Sequence, residues 1–203
     1  GLRLTFLLAA PCAIALFLFG TPISAVLYHY GQFNDFDVEM TRQALAAYGV
    51  GLIGLILVKI LAPGFYSRQD IRTPVKIAVV VLLFTQLANI VLVPSLAHSG
   101  LALSVGLGAC LNAALLWFGL RKRGALPIAT GWGKYLIQLL VGLLPLGALL
   151  FYGAQAHDWL ALQANPLIRI GLLGLWLLGA ALVYFATLWM VGLRWQNFLR
   201  HAK

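Results

Sequence analysis

Acidic residues are almost missing from this chain: five Asp and Glu in 203 positions, against fourteen Lys and Arg. All charged residues together make up only 9%, where a soluble domain carries roughly a quarter. That shortage excludes a water-soluble globule, which could not cover its own surface. Cysteine is equally scarce. Cys12 and Cys110 both lie in apolar runs, which excludes a secreted disulfide framework and leaves them as small packing residues. No acid stands well inside an apolar run, so this chain by itself builds no carboxylate proton relay and no buried cation site. His29, His98, His157 and His201 fall between the runs or in the tail, which excludes a haem or zinc site in a bundle core. Ser67 and Ser104 have no His or Lys at matching depth, so an intramembrane serine hydrolase is unsupported. No catalytic residue, metal or cofactor is expected.

What is present is apolar. Hydrophobic residues fill 62% of the positions, and the natural unit of such a chain is the run of roughly 20 residues that crosses a bilayer. Six runs can be drawn, at about 4–27, 38–61, 74–93, 101–120, 132–152 and 167–191. The expected fold is therefore an all-α integral membrane bundle of about six transmembrane helices. Pro11 and Pro22 interrupt the first run. Asp37 is a plausible N-cap for the second, which Ala62-Pro63-Gly64 then breaks. Pro74 suits the first turn of the third run. The short stretch from Pro94 to Gly100 makes a tight turn, so runs three and four are antiparallel neighbours. The first run has no small-residue cleavage site and is followed by more runs, so it does not read as a cleavable signal peptide. A start at Gly-Leu-Arg rather than Met fits a fragment whose upstream part lies elsewhere.

The charges sort by side. One side takes the N-terminus, the 62–76 and 121–134 connections and the tail. It collects Arg3, Lys59, Arg68, Arg72, Lys76, Arg121, Lys122, Arg123, Lys134, Arg194, Arg200 and Lys203, with Asp70 as its one acid. The other side holds Asp35, Asp37, Glu39 and Asp158 against Arg42 and Arg169. This asymmetry puts the first set, and both ends of the chain, in the cytoplasm. It also accounts for the net charge of +9 without nucleic acid, since no base-stacking aromatics interleave the basic residues. Trp132, Tyr152, Trp159 and Trp195 fall near the run ends, as an interfacial aromatic belt requires.

Polar residues inside the runs are the candidate functional positions. Thr85, Gln86 and Asn89 share a helix face, being three and four apart. Ser104 and Asn112 follow in the fourth run and Gln138 in the fifth. Lys59 stands in the last turn of a run rather than in a loop. The polar strip with Gln86, Asn89 and Asn112 reads either as the lining of a substrate pathway or as interhelical hydrogen-bond glue, and Lys59 joins it as a pathway candidate or is only a topology determinant. The cationic loop Arg68, Arg72 and Lys76 reads either as a topology determinant or as an attractor of anionic lipid. Many of the 21 glycines lie in the runs, where they permit close helix approach.

One stretch is far more specific. Leu61-Ala62-Pro63-Gly64-Phe65-Tyr66-Ser67-Arg68-Gln69-Asp70-Ile71-Arg72-Thr73-Pro74-Val75-Lys76 closely resembles the cytoplasmic connection between the tenth and eleventh helices of the MurJ (MviN) family of lipid II flippases. Gly1-Leu2-Arg3 with the Pro11 run resembles that family's ninth helix, and Tyr30-Gly31-Gln32-Phe33 the periplasmic loop after it. His98-Ser99-Gly100-Leu101-Ala102-Leu103-Ser104 and Cys110-Leu111-Asn112-Ala113 resemble its next helical hairpin. About the first 125 residues carry the likeness, and beyond them it is one of topology only.

The resemblance implies helices nine to fourteen of a fourteen-helix transporter of the multidrug/oligosaccharide-lipid/polysaccharide exporter type. Residues 1–123 would supply four spans of the second lobe, and 124–203 two additional C-terminal helices with the tail. Such a protein moves lipid II from the inner to the outer leaflet of the bacterial inner membrane by alternating access. Its partners are lipid II, membrane lipids and the transporter's remaining N-terminal helices, which bring the arginines of the central cavity. Some relatives place a sodium site on the eleventh helix with an Asn and an Asp four apart. Here Asn89 is followed by Val93 where the acid would stand, so membrane potential is the more natural driving force. The alternative from another class is a non-transporting membrane scaffold or partner subunit.

Overall fold

The computed structural model describes residues 2–124 and 132–192. Arg194, Trp195, Arg200, His201 and Lys203 lie outside the described residues, as does the side chain of His98. The described chain is all-helical: α1 (Leu2–Leu18), α2 (Gly20–Tyr28), α3 (Asp35–Tyr66), α4 (Arg72–Lys122), α5 (Trp132–Ala156), a 3₁₀ turn (Ala161–Ala164) and α6 (Pro166–Met190). Five helical segments are long and apolar enough to cross a membrane, or up to six if α1 and α2 count as one span. The polytopic bundle expected from the apolar runs is therefore present.

The chain forms two compact units, Gly1–Ala13 with Gln43–Ala129 and Ile14–Arg42 with Thr130–Lys203. In the first unit, α4 is assigned as one helix of 51 residues, yet it is a hairpin of two arms, Arg72–Leu96 and Ser99–Lys122. Ser104 bonds to Asn89, fifteen residues away, which along a straight helix would lie about 22 Å off. The expected tight turn at 94–100 thus reverses the chain inside helical hydrogen bonding instead of leaving it. The Ser95 hydroxyl donates to Leu92 O and that of Ser99 to Leu96 O, taking up carbonyls at the bend.

Glycines set the approach of α3 to the second arm. A Cβ on Gly106 would stand 3.0 Å from Gly51 Cα, and one on Gly54 2.6 Å from Cys110 N. The backbones meet where no side chain intervenes. Beyond this crossing Leu61, Phe65, Ala113, Leu116 and Leu120 form a buried cluster. That cluster corrects one expectation: Ala62-Pro63-Gly64 does not break α3, which runs on to Tyr66 with Pro63 inside it. Packing of Leu61 and Phe65, the latter 0% exposed, holds the last turn against the cost of the proline. Lys59 is accordingly about two turns before the end of α3 rather than in its last turn.

The break between α1 and α2, a bend of 77° at Phe19, falls in the second unit, which takes the chain from Ile14 to Arg42. The Pro22 ring would collide with the carbonyl of Leu18, four residues earlier, and the helix breaks there, whereas Pro11 stays inside α1. The start of α3 also differs from expectation. Asn34 is the cap: its Oδ1 accepts from Asp37 N at 3.1 Å while Asp37 Oδ2 accepts from Asn34 N at 3.0 Å. Asp37 is the reciprocal partner three residues on, as in a capping box. On α5, Tyr135, Leu139, Gly142, Leu146, Leu150 and Gly153 are buried. Their three-and-four spacing makes one stripe that packs on α6. Trp159 follows the end of α5 but is turned into the protein. It is 2% exposed, donates its indole N–H to Gly153 O at 3.1 Å and meets Phe19 edge-on at 5.6 Å.

Candidate functional site

The pathway candidates of the first unit do not converge on one point. On the first arm of α4, Gln86 is exposed and Asn89 half-buried. The Ser104 hydroxyl, itself fully buried, donates to Asn89 Oδ1. Asn89 is thereby committed to tying the two arms of the hairpin. Thr85 returns its hydroxyl to Val81 O at 2.9 Å and its Oγ1 lies against Gly108. Of the three polar residues on that face, Gln86 alone is exposed. Asn112 is half-buried and eight residues past Ser104, about 12 Å along the arm. Lys59 is exposed on α3.

The cationic loop is more ordered than its composition implies. At the end of α3, Gln69 takes a positive φ of 58°. Gln69 N donates to Tyr66 O at 2.9 Å and Asp70 N to Phe65 O at 3.1 Å. This is the paired bonding of a left-handed C-cap, a place glycine usually holds. The geometry delivers the Asp70 side chain to the start of α4, where its Oδ1 accepts from Thr73 N at 3.1 Å and complements the helix dipole. Asp70 Oδ2 pairs with Arg123, just past the end of the same helix. Arg123 also donates to Thr73 Oγ1 at 2.9 Å and stands over the Phe65 ring at 5.3 Å. Arg68 closes the knot by donating to the Arg123 carbonyl at 3.2 Å. The Thr73 hydrogen bond, followed by that of Arg123, holds the Asp70 carboxyl down to about 2. One acid thus joins the end of α3 to both ends of α4, while Arg72 and Lys76 remain exposed beside it.

The second unit holds a cluster that pattern reading missed. Arg169, in the first turn of α6, is 0% exposed and has no carboxylate against it. Its Nη2 donates to Ala25 O and, at 3.4 Å, to His29 O. Nη1 lies 3.4 Å from His29 Nδ1 and 3.5 Å from Trp159 O. The guanidinium sits over the Tyr30 ring at 5.2 Å, and its Nε has no hydrogen-bond partner among the described residues. On the far side of the imidazole, Nε2 meets Asp35 Oδ1 at 3.0 Å. The one sequence signal was an arginine at the third position of an apolar run, a place hydrocarbon penalises. Sorted by side as a topology charge, it disclosed no role. Among the described residues no group of three or more His, Cys, Asp or Glu could hold a metal ion.

The family model for "Lipid II flippase MurJ" matches residues 1–164. A protein of Burkholderia cenocepacia named lipid II flippase MurJ is 52% identical over 203 residues, covering 100% of this chain and 39% of that protein. A probable lipid II flippase MurJ of Buchnera aphidicola is 34% identical over 200 residues, 98% of this chain and 38% of its own length. One of Haemophilus influenzae is 32% identical over 200 residues, 98% and 39%. The likeness to these relatives runs through α5 and α6, beyond the first 125 residues that carried the sequence motifs. The chain spans about two fifths of the length of the relatives it matches.

Proposed function

The chain belongs to the lipid II flippase MurJ family, and on that premise we propose that it is part of a flippase carrying lipid II from the inner to the outer leaflet of the bacterial inner membrane. Residues 1–123 contribute four spans to the second lobe of that transporter, and 124–203 add two C-terminal helices. Both ends of the segment face the cytoplasm, by the excess of Lys and Arg on that side. The transporter's N-terminal helices, lipid II and membrane lipids are its partners. It works by alternating access and is not an enzyme.

The observation that carries this reading is Gln86. The first arm of α4 has none of its most apolar 18-residue window buried within this chain, so something else covers it. An amide facing hydrocarbon is unfavourable, whereas an amide facing a water-filled cavity between lobes is not. Gln86 therefore lines the cavity, with Asn89 and Asn112 on the hairpin and Lys59 on α3 as the further pathway positions. Arg68, Arg72 and Lys76 gather the anionic lipid at the cytoplasmic surface.

The test is a flipping assay on the full-length protein in vesicles, following arrival of labelled lipid II at the opposite leaflet. Gln86→Leu makes no change to the fold's hydrogen bonds. A rate lower by about tenfold or more, the effect of losing one contact of roughly 1.4 kcal/mol at the limiting step, supports the pathway. A wild-type rate at wild-type protein level sinks it.

A further inference from the structure

We propose that His29 is a proton-sensitive latch: its neutral form holds the end of α2 against α6 through Arg169, and its protonation releases that hold. Arginine has five donors and no acceptor. His29 Nδ1, 3.4 Å from Arg169 Nη1, must therefore be the accepting nitrogen, and the ring proton sits on Nε2, where it donates to Asp35 Oδ1 at 3.0 Å. The tautomer is fixed by the chemistry on both faces of the ring. A second proton can go only onto Nδ1. It would set donor against donor and cation against cation, while leaving the Asp35 bond intact.

The two faces are unequal in a way that matters. Asp35 has 70% of its side chain exposed, and water and salt screen it. Arg169 is fully buried, so repulsion on that face is poorly screened. The other charged groups at this end of the unit are committed elsewhere. Asp37 is bound to Asn34, and Glu39 forks onto Arg42. Asp158 Oδ1 accepts from Leu160 N and Ala161 N. The His157 ring lies against Trp159 at 5.8 Å and Trp176 at 6.2 Å. No further carboxylate among the described residues pairs with Arg169.

Release of the ring leaves Arg169 its bonds to Ala25 O, His29 O and Trp159 O and loosens the stretch of chain after α2. That stretch, from His29 to Phe33, is held to α6 by the imidazole, by the His29 carbonyl and by Tyr30 under the guanidinium. Gly31, with φ of 63° and nothing near its missing side chain, is the point about which the segment turns. Histidine is the side chain suited to such switching, because its charge changes close to physiological pH.

Hydrogen exchange of the amides from His29 to Phe33, in the full-length protein in lipid nanodiscs, tests the latch directly. Rates are normalised for the intrinsic effect of pH. Between about pH 8 and about pH 5.5 wild type is expected to lose about tenfold in protection, the effect of one charge-assisted bond. His29→Asn, which offers an amide oxygen near the Nδ1 position, should keep its protection at both values. Asp35→Asn should keep the response, because the face of the ring that meets Arg169 is unchanged. A wild-type segment indifferent to pH, or an equal response in His29→Asn, overturns the proposal. If His29→Asn fails to fold, which lost protection in α5 and α6 would reveal, Asp35→Asn decides: a pH response lost with the carboxylate overturns the latch. The readout is exchange rather than transport, so failure here is distinct from failure of the flippase reading.

Discussion

Asp70 and Arg123, 53 residues apart in sequence, form an ion pair that fastens the connection after α3 to the end of α4. The pair matters because Asp70 serves three helix ends at once. It follows the C-cap of α3, caps the start of α4 and receives the cation that follows α4's last turn. A loop whose other charges are all positive is thereby fixed in one shape, with Arg72 and Lys76 turned outward.

Asp70→Asn isolates that role. The carboxyl is held at about 2, below its ordinary 3.8, so its stabilising effect is complete above about pH 4 and fades as pH falls towards 2. Thermal unfolding in detergent should show the variant less stable than wild type near neutrality. The difference should shrink below pH 4. A gap that does not change with pH would mean the carboxylate charge is irrelevant.

Gln69→Gly should leave the fold unchanged and raise stability by roughly 0.5–1 kcal/mol. Glycine adopts the positive φ of this C-cap without the steric cost that a side chain carries. The unfolding midpoint in denaturant at constant slope is the measurement.

Gly54→Ala should destabilise by about 1–3 kcal/mol, the usual cost of overpacking. Its new methyl would meet Cys110 and Ala109 backbone at 2.6–2.8 Å, and backbone cannot swing aside. Gly171→Ala in α6 is the control, having nothing within 4 Å. It should be neutral or stabilising by up to about 1 kcal/mol. Unfolding curves of both variants in the same detergent decide it.

A double-mutant cycle on Asn89→Ala and Ser104→Ala should return a coupling of roughly 0.6–1.7 kcal/mol, the range of hydrogen bonds between membrane helices. Additive effects would remove Asn89 from its tying role. Pairing the cycle with Gln86→Leu separates the stability effect of the Asn89–Ser104 tie from a transport effect at a position that carries no such tie.

Arg169→Lys should prove costly despite keeping the charge, because an ammonium cannot reproduce a planar fork on Ala25 O and the His29 ring together. A loss of about 1–3 kcal/mol is expected for the acceptors left unpaired, and Arg42→Lys, on a half-exposed pair, should cost under about 1 kcal/mol. Melting temperatures of the two variants provide the comparison.

How much of this was legible beforehand depends on range. Bilayer thickness dictates run length, and hydrocarbon rejects charge, so composition by itself determined the spans and the all-helical class. The 61–76 motif determined the family. The hairpin at Pro94 was also readable, because a reversal that short leaves two spans no other arrangement. What failed were local signals overruled by packing. Pro63 reads as a stop and is not one, because Phe65 is buried in a cluster supplied from α4. Asp37 reads as a cap and is instead the partner of Asn34.

Only the tertiary structure decided which polar groups are free. Asn89 and Gln86 are equivalent in sequence, and Ser104, fifteen residues away, takes one and leaves the other. Asp70 and Arg123 read as members of two separate basic loops until the two ends of α4 come together. Arg169 reads as one topology charge among several until α6 packs beside α2. A pattern along the chain reports the solvent each residue meets, because that depends on composition over a single turn or span. The partner of a side chain depends on which distant segment arrives beside it, and that is settled by packing.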